Sequence, residues 1–251
     1  MMVQPWHKFL NEGVSICEQS RDGPIALEKP CGILSHPNFE LQASKLALLR
    51  CKYSLEFEKY LLDADGSAIY LLNRLDAPVS GLILVTLNEK IANAVKLAFE
   101  RRTVEKKYLA FLKGHLPNKS GHWKSNTAKT RLNEHVRAEN FGNMAAVTKY
   151  CLIREVSWKN ITLSLVELQP VTGRTHQLRL HCSQNHVPII GDRTYGDFNF
   201  NRQFCKLTGE NRLFLHSNEI CVHYKWSEAF KNFHAKSKFP FANHCLFTLE
   251  K

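Results

Sequence analysis

The sequence predicts an α+β protein with many antiparallel strands and a few helices. Three observations lead there. Short β-type apolar runs separated by turn residues recur along the chain. Helical periodicity is confined to a few segments. The 251 residues contain no internal repeat, low-complexity tract or long Gly/Ser/Pro linker. A chain of this length can bury a sizeable core, and residues 1–251 read as a single domain.

The elements follow in order. Ile25 to Leu34 reads as strand, tight turn and strand, with Pro30 and Gly32 supplying the turn. Ser44 is placed to cap a helix running to about Cys51, with Leu46, Leu49 and Tyr53 on one face. Ala68–Leu72 and Leu82–Val85 are apolar strand runs on either side of Asn73-Arg-Leu-Asp-Ala-Pro-Val-Ser-Gly-Leu82. Residues 88–102 form a helix, because Ile91, Val95 and Phe99 recur every four residues. Arg101 and Arg102 suit its C-terminal end. Lys107–Leu112 is a strand closed by Gly114, and 115–145 is polar, basic and read as loop with short strands. Ala146–Ile153 and Ile161–Leu168 are strands joined by a turn at Ser157–Asn160. Pro170–Gly173 turns, and a helix opens over His176–Ser183. Two late strands are expected at Arg212–His216 and Glu219–His223.

Lys and Arg number 34 against 23 Asp and Glu, a net charge of +11. Such a surface attracts polyanions, and nucleic acid is the leading partner. An ordinary basic protein is the plain alternative. The eight cysteines include no C-x-x-C pair, so the usual zinc spacing is absent. No signal-type h-region and no run near the ~20 apolar residues of a membrane span is found. The expectation is a cytoplasmic protein with reduced thiols.

Two segments carry the functional signal: Asn73–Leu82, with arginine and aspartate between strands, and Gly173-Arg-Thr-His-Gln-Leu-Arg-Leu-His181, followed by His186–Gly196. Together they resemble the RluA family of RNA pseudouridine synthases. Lys29-Pro-Cys-Gly32, Lys107–Gly114, Ala146-Val-Thr-Lys-Tyr150 and Arg212-Leu-Phe-Leu-His216 are similar to further family motifs, in the family's order. The resemblance covers about residues 25–223, leaves 224–251 divergent, and includes no N-terminal S4-type module. Gly196–Arg202 is similar to a subset that includes the tRNA-acting TruC enzymes. Asn73 stands where the family usually has His, and Val79 where it usually has Thr.

The resemblance implies a long, bent, mixed sheet around a basic cleft, forming one catalytic domain. It implies isomerisation of uridine to pseudouridine in tRNA or rRNA, without cofactor or metal, by a monomer whose partner is structured RNA. The base must leave its stack for a pocket. Asp76 becomes the catalytic carboxylate, as nucleophile or as base, with Arg179 supporting its charge. Without the family motifs, Asp76 would read as a turn residue. Tyr108 would stack on the uracil or shuttle a proton, and Leu215 would pack beneath the base. Arg74 would fill the space left by the base or bind its phosphate. Arg101, Arg102, Lys106, Lys107 and Arg174 are candidates for the RNA backbone, as is Arg193. For each, a solvated charge is the plain reading.

His176, His181 and His186 invite a metal reading. Five residues turn a helix by about 500°, so His176 and His181 do not share a face. They read as structural groups. Two other functions compete: an RNA-binding protein without chemistry, and a glycosidase. The first does not need the Asp76, Tyr108 and Arg179 set. The second commonly needs two flanking carboxylates, and Asp192, the available second acid, matches a structural turn of the family.

Overall fold

The computed structural model describes residues 6–37, 47–62, 67–132 and 135–238, with the backbone alone for 127–143. Two compact units emerge. One comprises residues 1–104 and 219–237, and the other is centred on 105–218. Residues 105–218 therefore lie between the two stretches of chain that make up the first unit.

In the first unit, β2 (Ile25–Lys29) pairs antiparallel with β1 (Ser15–Gln19) and with β6 (Ser80–Thr86). β6 also pairs with β5 (Ala68–Leu71), and β4 (Lys59–Leu61) joins β5 to β3 (Lys52–Ser54). Both faces of β2 and β6 are covered. Ala26, Leu82 and Leu84 enter one core, with Ile91 and Val95 of α1 (Glu89–Glu100). Ile25, Leu27, Ile83 and Val85 enter another, with Leu48, Leu49, Tyr60 and Ile69. Burial on both sides explains why this strand is a continuous apolar run. The Asn88 side chain caps α1 by accepting from the amides of Lys90 and Ile91. Ile91 and Val95 each contribute about 1.5–3 kcal/mol by leaving water.

β11 (Leu215–Trp226) begins in the second unit and continues in the first, where it pairs with β12 (Ala229–Lys236). Ile220, Val222, Phe233 and Ala235 complete the α1 core.

In the second unit, β7 (Val104–Lys113), β10 (Ile161–Pro170), β9 (His135–Trp158) and β8 (Ser120–Leu132) form a meander of antiparallel pairs. The β9–β10 turn uses Lys159 and Asn160 at φ 48° and 64°, the positive pair a tight two-residue hairpin demands. α2 (Gln177–Gln184) follows, then α3 (Phe198–Thr208). Phe200 and Phe204 of α3 pack on Trp158 with ring centroids 5.7 and 5.2 Å away. Gly191 has φ 77°, and a Cβ there would lie 1.8 Å from the Arg212 carbonyl oxygen, so only glycine fits.

The structure corrects several expectations. Residues 44–46 of the helix expected after Ser44 lie outside the described residues. Residues 47–51 are not helical: Ala47 bridges Leu34, and Leu49 bridges Leu10. Ala47, Leu48 and Leu49 are all fully buried, which suits a segment threaded through a core, not a helix with one apolar stripe. The expected loop at 115–145 is largely the long β8–β9 hairpin. In β8, buried Trp123 sits between exposed His122 and Lys124, an alternation hard to read in the sequence because polar residues surround its one large apolar side chain. The two late strands are one strand, β11, entered at Leu215 after Arg212–Phe214. Ser217 and Asn218, polar enough to read as a break, are buried within it. The second strand expected at the end of Ile25–Leu34 does not form: past the turn only Leu34 pairs, in an isolated bridge to Ala47. α3, β1, β3, β4 and β12 have no counterpart among the expected elements.

Candidate active site

The loop from Asn73 to Val79 lies between β5 and β6 and is tied at both ends. Asn73 Oδ1 accepts from the Leu84 amide at 2.6 Å, and the Leu72 amide donates to Leu84 O at 2.9 Å. The asparagine thus anchors the loop to β6. Val79 is 3% exposed and joins the core, so an apolar residue suits that position.

Both neighbours of Asp76 are clamped. Ser35 Oγ accepts from the Leu75 amide at 2.9 Å and donates to Leu75 O at 2.8 Å. Ser35 is itself held by Tyr60, whose hydroxyl donates to its carbonyl at 2.5 Å. On the other side, Ala77 O accepts from the Gly32 amide at 2.8 Å and from Lys29 Nζ at 3.1 Å. Lys29 is fully buried, and its ammonium also donates to the carbonyls of Pro30 and Ile33 at 2.9 and 2.7 Å. Those carbonyl contacts make burial of the charge tolerable. The Val79 amide donates to Asp76 O at 3.0 Å and closes the turn. Asp76 is therefore a half-buried carboxylate on a loop with little freedom. Lys29 and Ser35 had drawn no functional expectation of their own. The Lys29-Pro-Cys-Gly32 turn pointed to the first, and nothing local to the second.

Arg74 is exposed. Its Nη1 lies 3.8 Å from Glu58 Oε1 and 3.4 Å from His36 Nε2. The His36 pKa is lowered, mainly by burial and further by the Arg74 charge, against opposing effects of Pro37 O and Glu58. Arg101 and Arg102, both exposed, belong to the same unit at the C-terminal end of α1.

The second unit holds the other expected residues. Arg179, on α2, is 5% exposed, and its Nε and Nη2 donate to Asp192 Oδ2 and Oδ1, each at 2.8 Å. Burial raises the Asp192 pKa, but the Arg179 hydrogen bonds and charge outweigh it, helped by the amides of Tyr195 and Thr194. The carboxyl is held below its usual range. The Arg179 guanidinium also lies over the Tyr195 ring at 5.2 Å, and Tyr195 OH meets His176 Nδ1 at 3.0 Å. Asp192 and Tyr195 thus hold Arg179 in place, where the sequence assigned Asp192 only to a structural turn.

Gln177, beside them, is buried and knits three segments. Its Oε1 accepts from Thr172 Oγ1 and the Arg174 amide, and its Nε2 donates to Val147 O and Thr148 Oγ1. Arg174 Nε reaches Ala145 O at 3.3 Å. A Cβ on Gly173 would lie 4.0 Å from Lys106 Nζ, which places Lys106 beside the Gly173–Arg174 turn. Burial lowers the Lys106 pKa. Lys107 is half-buried on β7, and Arg193 Nη2 donates to Asn211 Oδ1 at 2.8 Å. Tyr108, on β7 opposite Leu168, and Leu215, at the start of β11, are 9% and 2% exposed. His181 is buried against Ser125 Oγ and Thr148 Oγ1, both at 2.8 Å, and acts structurally. Among the described residues no group of three or more His, Cys, Asp or Glu is arranged to hold a metal ion.

The sequence profile of the RNA pseudouridylate synthase family matches residues 24–184. The chain belongs to this family. That span holds Arg74, Asp76, Tyr108 and Arg179. Among its members, tRNA pseudouridine synthase C of Haemophilus ducreyi is 34% identical over 207 residues, covering 78% of this chain and 80% of the relative. The enzyme of the same name from Pasteurella multocida is 32% identical over 205 residues, with the same coverages. The ribosomal large subunit pseudouridine synthase C of Rickettsia prowazekii is 33% identical over 201 residues, covering 79% of this chain and 60% of that protein. The solved structure of human RNA pseudouridylate synthase domain containing 1 superposes with a TM-score of 0.68 at 24% identity, over 92% of this chain and 85% of that one. The fold is thus the α+β pseudouridine synthase fold, as the motifs implied. As a pseudouridine synthase, the chain is an isomerase that modifies RNA.

Proposed function

We propose that this pseudouridine synthase converts a uridine of structured tRNA or rRNA into pseudouridine, using Asp76 as the catalytic carboxylate. The observation that carries this is the double clamp on Leu75 and Ala77, which fixes the backbone from which the Asp76 carboxylate projects. A group that must act on the ribose or the base gains from such preorganisation. Arg179, aligned by Asp192 and Tyr195, would support the Asp76 charge, and Tyr108 and Leu215 would bracket the flipped uracil. Stacking on the tyrosine is worth ~1–3 kcal/mol, comparable with the few kcal/mol that unstacking costs. Arg74 would enter the space the base leaves or bind its phosphate. Arg101, Arg102, Lys106, Lys107 and Arg174 would follow the backbone.

The names of the relatives support tRNA and rRNA as substrates. We read residues 1–251 as one catalytic domain, because the chain leaves the first unit at residue 104 and returns to it at 219. We further read it as a cytoplasmic monomer that needs no cofactor.

The test is complementation of a deletion strain with wild type or Asp76→Asn, followed by chemical mapping of pseudouridine in tRNA and rRNA. A uridine modified with wild type and lost with the variant is expected, with turnover lowered by ~10³-fold or more. Equal restoration by both would remove Asp76 from the chemistry, and no site that depends on the wild type would favour a protein that binds RNA without reacting.

A further inference from the structure

One carboxylate of the first unit lies between two cations that face water. Glu58 Oε2 accepts from Lys96 Nζ at 3.1 Å, and Glu58 Oε1 lies 3.8 Å from Arg74 Nη1. A third group, His36, places Nε2 3.4 Å from the same Arg74 nitrogen. Its ring is stacked on Tyr53 at 4.9 Å and 12°, which holds the imidazole in place. The cations come from separate elements, Lys96 from α1 and Arg74 from the Asp76 loop. Glu58 comes from the β3–β4 turn, where it has φ 48° and its carbonyl accepts from the Leu71 amide.

We propose that Arg74, Lys96 and His36 form a subsite for one RNA phosphodiester, and that Glu58 fills it as an internal anion in the free enzyme. The inference rests on the pseudouridine synthase reading above, in which Arg74 meets the RNA. Lys96 and Glu58 are the additions.

The chemistry supports an exchange. A carboxylate and a phosphodiester each offer two charged oxygens to the same donors. Arg74, Glu58 and Lys96 side chains are 61%, 47% and 33% exposed, so an incoming phosphate reaches them without opening the core. An ion pair this exposed holds its partners weakly. The Glu58 main-chain contact does not depend on the carboxylate, so the side chain can swing aside while the turn stays put. Two cations then face one phosphate and release its counterions.

The proposal has an unusual sign. Removing a residue that only braces Arg74 should weaken RNA binding. Removing a competing anion should tighten it. The experiment measures the Kd of an RNA substrate against salt concentration for wild type, Glu58→Gln, Lys96→Gln and the double variant, with melting temperatures as a check on folding. Glu58→Gln is expected to lower Kd roughly three- to tenfold at low salt, with the gain fading as salt screens it. Its log Kd against log salt plot should steepen, because the variant lacks a carboxylate–phosphate repulsion that salt screens in the wild type. Lys96→Gln should flatten the plot by up to about 0.7–0.9, the loss of one cation from the phosphate, and the double variant should lose the gain. A folded Glu58→Gln that binds no tighter than a wild type active on RNA overturns the subsite alone. Should Glu58→Gln fail to fold, an unchanged slope in Lys96→Gln overturns it equally. A wild type that neither binds nor modifies RNA overturns the functional reading and the subsite with it.

Discussion

Asp192 holds the most consequential charge pair of the second unit. With Arg179 it forms a buried, two-pronged pair, and its loss strands a cation away from water. Asp192→Asn is therefore expected to cost about 3–5 kcal/mol in urea denaturation. Because its pKa is depressed, the stabilisation is complete above pH 3.8 and is lost as pH falls through the lower folded value. Ser35 offers a second test. Ser35→Ala leaves the Leu75 amide and carbonyl without their hydroxyl partner, at about 1–3 kcal/mol. If the clamp orients Asp76, single-turnover rate should fall while RNA affinity stays unchanged. Asp76 and Arg179 could be named from the sequence because their motifs are contiguous. Asp192 and Ser35 could not be given partners, because those lie 13 and 40 residues away and only the fold supplies them.

Helix α1 was legible to within a residue or two, because its cap, period and basic end agree. Asn88→Ala, which removes the cap, should cost ~1 kcal/mol in thermal unfolding. α3 carried equally good signals, with Asp197 accepting from the Phe200 amide at its start and Gly209 at φ 75° at its end. The same residues, Gly196–Arg202, also carry the resemblance to a subset of the family, which masks their helical character. Residues 47–51 misled for a physical reason: apolar spacing in a threaded, fully buried segment imitates one face of a helix. α2 and the start of β11 carry a pH response. Burial lowers the pKa of His181 to about 4 and, with Arg212, that of His216 to about 3, from 6.5. Between pH 6.5 and these values the unfolded chain binds protons that the folded chain refuses. Stability should fall as pH drops through this window, by up to about 3 kcal/mol for His181. Comparing urea midpoints at neutral and acid pH checks this, and His181→Gln should reduce the loss.

For the molecule as a whole, net charge was the most direct guide to its partner. An excess of 11 positive charges predicts RNA affinity that falls steeply with salt. Titration over a series of salt concentrations checks this, and affinity indifferent to salt would contradict phosphate-led binding. What the linear sequence hid is its division, since no linker marks the ends of the 105–218 stretch. The core around α1 draws Leu82, Leu84 and Val95 from before residue 104, and Ile220, Val222, Phe233 and Ala235 from after residue 218. A chain on the ribosome has a timing problem as a result. Its first hundred residues emerge early but lack part of their own interior until more than a hundred others have been made. The apolar side of β6 and α1 must wait through that interval, covered by a chaperone or by transient collapse. Nascent chains arrested before β11 should therefore be captured by hydrophobic-surface chaperones and cleaved readily by protease. Chains arrested with β12 clear of the exit tunnel should resist both.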